Sequence, residues 1–165
     1  MLLMVTNRAP HKEIEEDPGG EVRLEMAELA AIGEDGVEAS GLEVERDETS
    51  YSYRTLELLS EEEPQDELYF LLGADMAAGL AGWKEPKRVL DLATLGVVPR
   101  PGVGLGAVSS ALERLGAAGR TEIIEMPLCG ASSTTVRQRT REGKPLRHLV
   151  PGRVIELIGE RGLYR

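Results

Sequence analysis

The sequence predicts an α/β fold, a mostly parallel sheet with helices on both of its faces. Short apolar runs typical of strands alternate along the chain with longer stretches of helical periodicity, and this order is typical of parallel sheets. The length of 165 residues corresponds to a single domain, residues 1–165, and 41% hydrophobic residues suffice for one core. Only 4% of the residues are aromatic, so aliphatic side chains must fill that core.

The first elements are a short apolar strand at 2–5 and a helix over 17–32. Asp17 is the expected cap of this helix, and Pro18 suits its first position because the ring fixes a helical φ. Residues 37–46 alternate between apolar and polar side chains, which predicts an extended segment.

The middle of the chain contains two apolar runs that predict strands. The run ELYFLLG, residues 67–73, is continuously apolar and ends at Gly73, as a strand buried on both faces would. The run at 94–100 is closed by Pro99. Helical stretches surround the two runs, at 50–63 after a serine start, 74–83 and 87–94.

The last third repeats the alternation of helix and strand. A helix is predicted at 107–119, where it ends in glycine, and a strand at 121–126. Two helices follow, one at 132–143 with a glycine stop and one at 151–164 with proline near its start.

The composition excludes several classes of protein. A net charge of −10 and a pI of about 4.8 argue against a nucleic-acid-binding surface, which needs basic patches. No apolar run is long enough to span a membrane, and the start has no basic region of a signal peptide. Cys129 is the single cysteine, which fits a reducing compartment, so we expect a cytoplasmic protein. Two histidines, His11 and His148, are too few for a histidine-rich zinc site.

One stretch with four hydroxyls and two arginines, EMPLCGASSTTVRQR at 125–139, suggests an anion site. A helix start offers unpaired N–H groups and positive potential, and arginines one turn further add fork-shaped donors. The alternative is structural: Ser132 or Ser133 would be an ordinary N-cap, and Arg137 a solvated helix residue.

Three segments follow predicted strands directly, and in a parallel sheet strand ends meet at one edge. They are RAPHK at 8–12, GADM at 73–76 and CGASSTTVR at 129–137. These segments are expected to line one ligand crevice.

Read together, seven segments resemble the bacterial nicotinate-nucleotide adenylyltransferase family over the full length of the chain. APHK resembles its P-P-H-K, TSYSYRTL its P-S-Y-T-x-D-T-L, and ELYFLLGAD its strand into G-A-D. GWKEPKRVLDLA resembles its tryptophan loop and helix, VVPRPG its R-P-G, and ASSTTVRQR its I-S-S-T-x-I-R. The ending LVPGRVIELIGERGLY resembles its L-V-P tail. The resemblance implies a Rossmann-like doubly wound sheet of the nucleotidyltransferase type.

The resemblance also implies a reaction, transfer of the AMP moiety of ATP to nicotinate mononucleotide with release of pyrophosphate in the presence of Mg²⁺. The partners would be these two substrates, with no nucleic acid and no membrane. The product, nicotinate adenine dinucleotide, lies on the route to NAD. Such transfer depends mainly on positioning and charge stabilisation.

By matching position, the resemblance assigns roles to individual residues. The expected ATP-binding residues are Gly73 and Asp75 at the ribose, and Ser132, Ser133, Thr134 and Arg137 at the phosphates. The expected nicotinate mononucleotide-binding residues are His11, Lys12, Tyr51, Ser52, Trp83 and Arg100, with Trp83 stacked on the pyridine ring.

Several of these residues have simpler explanations. Trp83, the only tryptophan, could serve packing alone, and Asp75 could cap the following helix. His11 and Lys12 could be ordinary solvated residues. Cys129 stands where the family has no nucleophile and is expected to be a small, at least partly buried residue.

The sequence departs from the family in one large respect: it contains no H-x-G-H motif, whose two histidines are the family's catalytic groups. No catalytic residue is therefore assigned. We expect Met1 to be an internal residue of a longer protein, and the first, central strand to be missing from this chain. Without that strand, unpaired strand edges would remain, so the chain as written is expected to be unstable or to aggregate.

Smaller departures concern the substrate loops. Arg54 replaces the family's usual aspartate and reverses a charge beside the predicted nicotinate loop. Ser52 replaces threonine, and Ala9 and Ala131 replace proline and isoleucine. Two alternative functions stay open: another adenylyltransferase of this fold, such as the pantetheine-phosphate enzyme, or a non-catalytic protein that binds a nucleotide or a partner.

Overall fold

The computed structural model describes residues 1–10, 16–46, 48–117, 119–127 and 130–165. His11, Lys12 and Cys129 therefore lie outside the described residues. The strands are β1 Leu2–Met4, β2 Glu38–Ser40, β3 Leu68–Gly73, β4 Ala93–Val98 and β5 Thr121–Ile123. The helices are α1 Gly20–Ala31, α2 Ser52–Glu62, α3 Ala74–Ala78, α4 Pro86–Leu92, α5 Leu105–Arg114, α6 Ser133–Arg141 and α7 Gly152–Glu160, with a 3₁₀ turn at Leu80–Gly82.

The chain divides into two compact units, of which the first comprises residues 1–50 and 131–165. In this unit β1 and β2 pair in parallel, and α1 is the crossover between them. The amphipathic helices α6 and α7 bury one apolar stripe each. Their shared core contains Val136, Leu146, Val154 and Ile158.

The second unit comprises residues 51–130 and contains a three-stranded parallel sheet in the order β3-β4-β5. The register places Leu72, Val97 and Ile123 side by side. Central β4 is the most deeply buried strand, since it has neighbours on both sides. Among the described residues, the largest fully buried side chains belong to this unit: Leu80, Leu95, Val89, Val97 and Val108.

These elements confirm the predicted α/β class with parallel strands, and each predicted helix and strand has a counterpart. One expectation was wrong: β3 is not buried on both faces. Phe70 and Leu72 face the core, whereas Tyr69 and Leu71 are 52% and 47% exposed. A continuous apolar run shows that a strand can be buried on two faces, but only packing decides whether a second layer covers it.

Some element boundaries also differ from the prediction. Helix α1 begins at Gly20 behind Gly19, whose φ of +93° suits glycine, so Pro18 is not in the helix. Asp17 does not cap α1; its Oδ1 accepts from the Gly19 N–H and from Arg23 Nε. Helix α5 ends at Arg114, because Gly116 in a left-handed conformation already reverses the chain.

The predicted extended segment at 37–46 is strand only over Glu38–Ser40 and continues as turns. Alternation of apolar and polar residues is the pattern of a half-buried strand, but β2 has one neighbour and ends with β1. The serine start predicted for α2 is also wrong, because Tyr51 occupies the N-cap position.

Candidate functional site

In the second unit, three predicted site residues meet at the carboxyl ends of neighbouring parallel strands. Gly73 ends β3, and its register partner Val98 ends β4. Asp75 follows the first strand and Arg100 the second, and Arg100 Nε lies 3.8 Å from Asp75 Oδ1. Strand ends of this kind are where ligands bind in parallel sheets. Both side chains are about half exposed, so their charges are available to a ligand.

Position 73 requires glycine because a side chain there would clash with its neighbours. The backbone angles are extended and would suit any residue. A Cβ at this position would stand 2.5 Å from Asp75 Oδ1 and 3.0 Å from Arg100 Nε. The absence of a side chain therefore lets the carboxylate and the guanidinium approach the strand end.

Asp75 is not the cap of α3, so the structural alternative for this residue was wrong. The N-cap is Gly73, with no side-chain hydrogen bond, and Asp75 lies in the first turn of the helix. A carboxylate there is favoured by the helix dipole, and its oxygens remain free to accept from a hydroxyl group.

Trp83 packs against the core of the second unit, and its ring meets Phe70 edge to face at a centroid distance of 6.2 Å. The packing explanation for Trp83 is therefore confirmed. The side chain is only partly buried, so packing accounts for part of its surface and leaves part accessible.

Tyr51 and Ser52 form the start of α2. No side chain caps this helix start, although the first intrahelical bonds run from the N–H groups of Arg54 and Thr55 to the carbonyl of Tyr51. The N–H groups of the first turn can therefore donate to an external acceptor. The Nζ of Lys84 lies 4.3 Å from the centroid of the Tyr51 ring.

The unusual Arg54 belongs to a three-membered ion cluster on α2 and α4. Arg54 Nη1 lies 3.2 Å from Glu57 Oε2, and Arg88 Nε lies 2.8 Å from Glu57 Oε1. The hydrogen bond from Arg88 is the main cause that lowers the pKa of the Glu57 carboxyl; burial opposes it, and the hydrogen bond from Arg54 lowers this pKa further. One carboxylate is thus shared by two guanidinium groups.

In the first unit, α6 begins with the predicted hydroxyl residues. One of them caps the helix, and the next two are exposed. Ser132 is the N-cap: its Oγ accepts from the Thr135 N–H at 3.1 Å. The side chains of Ser133 and Thr134 are exposed in the first turn. The alternative that Ser132 is an ordinary N-cap is therefore confirmed, while the hydroxyls of Ser133 and Thr134 remain available to a ligand.

Arg137 lies one turn into α6 and is partly buried. Its charge is close to Tyr164, which packs on the same apolar core. Burial raises the pKa of the Tyr164 phenol, and the Arg137 guanidinium acts in the opposite direction. No hydrogen bond or ion pair of Arg137 with another described side chain is present, so its fork of donors can serve an anion.

The strand end that precedes His11 and Lys12 is held by Arg23 of α1. Its guanidinium donates to the carbonyl oxygens of Thr6 and Asn7, the latter at 2.8 Å. The same side chain pairs with Asp17 at 2.9 Å. Arg23 therefore holds the backbone of Thr6 and Asn7, and His11 and Lys12 themselves lie outside the described residues.

Sequence reasoning did not single out Glu57, Arg88, Lys84 or Arg23. The contacts of Glu57 with Arg88, of Lys84 with Tyr51 and of Arg23 with Asn7 join different elements, so no spacing along the chain reveals them. The only available signal was the charge reversal at Arg54, which called for a compensating acid nearby.

Two classes of feature are absent from the described part of the chain. Residues 1–10, 16–46, 48–117, 119–127 and 130–165 contain no group of three or more His, Cys, Asp or Glu side chains arranged to hold a metal ion. Among the same residues, no helix combines the length and the apolar character needed to cross a membrane.

Residues 1–139 match the cytidylyltransferase-like family. The chain is 40% identical over 163 residues to a protein of Roseiflexus castenholzii named "probable nicotinate-nucleotide adenylyltransferase", covering 94% of this chain and 80% of the relative. A protein of the same name from Thermus thermophilus is 37% identical, covering 100% of this chain and 83% of the relative. A third protein of this name, from Geobacillus thermodenitrificans, is 36% identical, covering 94% of this chain and 67% of the relative.

Solved structures support the fold. The Plasmodium falciparum nicotinic acid mononucleotide adenylyltransferase complexed with NaAD superposes with a TM-score of 0.77 at 17% identity, covering 99% of this chain and 81% of that one. The same enzyme complexed with APC gives a TM-score of 0.74 at 15% identity, with the same coverage.

Proposed function

The chain belongs to the cytidylyltransferase-like family and, within it, to the nicotinate-nucleotide adenylyltransferases, and from this membership we propose that it transfers an adenylyl group from ATP to nicotinate mononucleotide. A phosphate oxygen of the mononucleotide forms a bond to the α-phosphorus of ATP. The bond from this phosphorus to the bridging oxygen breaks, and pyrophosphate leaves. The product is nicotinate adenine dinucleotide, a step of NAD biosynthesis that we assign to the cytoplasm.

The membership carries this proposal, and the start of α6 supports the phosphate-binding part of it. Ser133 and Thr134 would donate their hydroxyls, and the helix start its N–H groups, to phosphate oxygens of ATP. Arg137 would add a guanidinium fork. Ser132 would contribute indirectly, since its cap fixes the first turn.

The strand ends of the second unit support the ribose-binding part. Asp75 would accept a hydrogen bond from a ribose hydroxyl, and Gly73 leaves room for the sugar at the strand end. Arg100, which pairs with Asp75, would hold the carboxylate in place and face the phosphate of nicotinate mononucleotide. His11 and Lys12 would supply further positive charge to phosphate.

The start of α2 supports the pyridine-binding part. Tyr51 and Ser52 would place uncapped main-chain N–H groups against the nicotinate carboxylate. The accessible part of Trp83 would lie against the pyridine ring, while the remainder stays anchored on Phe70.

We assign the divalent cation, Mg²⁺, to the ATP phosphates rather than to a protein cage. The described residues hold no cluster of three possible ligands. Mg²⁺ in nucleotide sites is commonly bound through substrate phosphates and one or two carboxylates, and it neutralises phosphate charge.

A second candidate is a protein that binds the nucleotide without turnover. The observation in its favour is that the printed sequence contains no H-x-G-H motif, so no side chain of this chain is assigned to the reacting bond. In that case the residues above would bind and orient substrates only.

Two assays on the same preparation separate the candidates. Product formation from ATP and nicotinate mononucleotide is followed by chromatography and by release of pyrophosphate, with phosphopantetheine as the competing acceptor. Binding of ATP and of the mononucleotide is measured by calorimetry. Turnover with the mononucleotide and not with phosphopantetheine supports the adenylyltransferase, and binding without turnover supports the second candidate. Absence of both contradicts the proposal.

A further inference from the structure

Lys84 has an unusual environment for a lysine of an acidic protein. Its exposed ammonium group lies over the face of Tyr51, 4.3 Å from the ring centroid, within the range of a cation–π contact. No ion pair joins Lys84 to another of the described residues, although the chain has 29 acidic side chains against 19 lysines and arginines. The aromatic contact fixes the cation without neutralising it.

Glu57, a carboxylate of α2, is already occupied. Glu57 is bonded on one oxygen by Arg88 and approached on the other by Arg54, and these contacts lower its pKa so that it stays ionised and engaged. The three side chains together carry one excess positive charge, and Lys84 adds another. Glu85, the next residue, balances the formal charge of Lys84, but no ion pair joins the two side chains, so the ammonium group over Tyr51 keeps an uncompensated direct contact surface at the start of α2.

We propose that Lys84 is a specificity-determining residue that selects a pyridine ring bearing a carboxylate over one bearing a carboxamide. This inference rests on the proposed function, which puts the pyridine ring beside Tyr51. A fixed ammonium group attracts an anionic substituent and gives no such gain with a neutral amide of the same shape. The uncapped N–H groups of α2 can bond the carbonyl oxygen of either substituent, so they discriminate less.

The same arrangement explains why the charge reversal at Arg54 is tolerated. Arg54 and Arg88 bond Glu57 from two sides, so Glu57 is engaged and does not pair with Lys84.

The test uses the full chain and the fluorescence of Trp83, its only tryptophan and the neighbour of Lys84. Nicotinate mononucleotide and nicotinamide mononucleotide are titrated separately against the parent chain, Lys84→Gln, Lys84→Arg and Lys87→Gln. The last variant removes an exposed lysine of α4 and serves as the matched control. Calorimetry repeats each titration, since a substitution beside Trp83 changes its baseline fluorescence, and thermal unfolding checks that each variant is folded.

Lys84→Gln is expected to weaken binding of the nicotinate form about tenfold and binding of the nicotinamide form less than twofold. Lys84→Arg should retain the preference, and Lys87→Gln should match the parent. The preference of the parent should decline with added salt, and that of Lys84→Gln should not.

Unchanged or equally weakened binding of both ligands by Lys84→Gln would overturn the inference and leave the proposed function standing. A parent chain that binds neither mononucleotide would overturn both. Loss of nicotinate selectivity in Lys84→Gln alone supports the inference and the proposed position of the pyridine ring beside Tyr51, while the turnover assay above tests the reaction.

Discussion

Asp75 Oδ1 and Arg100 Nε lie 3.8 Å apart beyond the ends of two neighbouring parallel strands, beside Gly73, the last residue of β3. The pair is exposed and contributes little to the stability of the fold, because solvent screens it. It instead holds a carboxylate and a guanidinium group in one orientation, where a ribose hydroxyl and a phosphate of the proposed substrates can be bound.

Gly73→Ala should weaken ATP binding about tenfold with a change in stability below about 1 kcal/mol. The new Cβ would meet Asp75 Oδ1 at 2.5 Å and force this flexible side chain away. Calorimetric titration with ATP and chemical denaturation measure the two effects. Gly106→Ala is the control, since a Cβ there meets nothing within 4 Å. ATP affinity unchanged in a folded Gly73→Ala chain would remove Asp75 from the proposed site.

Ser132→Ala and Ser133→Ala should separate capping from ligand binding at the start of α6. Ser132 accepts from the Thr135 N–H, so its loss should lower the free energy of unfolding by about 1 kcal/mol. Ser133 is exposed, and its replacement should reduce ATP affinity while leaving stability within about 0.5 kcal/mol. Denaturation curves and ATP titrations of both variants check the assignment, and an equal stability loss in the two would contradict it.

Arg137→Gln should reduce ATP affinity roughly tenfold or more, because a charge-assisted contact to phosphate is lost. Arg153→Gln on α7 removes an exposed arginine from the same unit and should leave ATP binding unchanged. AMP, which lacks the β- and γ-phosphates, should show a smaller loss than ATP. If both substitutions lower ATP affinity equally, the effect is one of overall charge and not of a phosphate contact at Arg137.

Leu95→Ala and Leu71→Ala compare the two faces of the sheet in the second unit. Leu95 is fully buried, so its truncation should cost about 3 kcal/mol of unfolding free energy. Leu71 is 47% exposed on the opposite face, and its truncation should cost less than about 1 kcal/mol. Equal losses by urea denaturation would mean that another layer covers Leu71 in solution.

Glu57→Gln should change the pH dependence of stability in a direction fixed by the lowered pKa of Glu57. Because the folded pKa lies below the unfolded one, ionised Glu57 stabilises the fold fully above its ordinary pKa. This contribution is lost as the pH falls through the lowered value. The parent should therefore exceed Glu57→Gln in thermal stability at neutral pH, and the gap should close in acid and shrink with salt. A gap that is constant with pH would contradict the role of the carboxylate charge.

Several expectations came from local patterns and needed no tertiary information. Strand β4 was predicted because the apolar run at 94–100 ends in Pro99, and it ends at Val98 in the structure. The final helix was predicted from Pro151 and its apolar spacing, and α7 runs over Gly152–Glu160 behind that proline. Such signals depend on residues only a few positions apart, so they can be read from a single sequence.

Other expectations depended on whether a given side chain binds the N–H groups at a helix start or another partner. Asp17 was a reasonable cap for α1, but Arg23 and the Gly19 N–H engage it instead. Asp75 was a possible cap for α3, but it pairs with Arg100 from the next strand end. Capping strength is similar for many residues, so a contact from a distant segment decides the outcome.

The sequence by itself determined the alternation of strands and helices, the parallel α/β class and the family of the chain. These follow from periodicity, turn residues and motifs that are read along the chain. Only the tertiary structure decided that Glu57 is shared by Arg54 and Arg88, that Lys84 lies over Tyr51, and that one face of β3 is exposed. Each of these depends on side chains far apart in sequence, and their distances are set by packing and register, which no local pattern encodes.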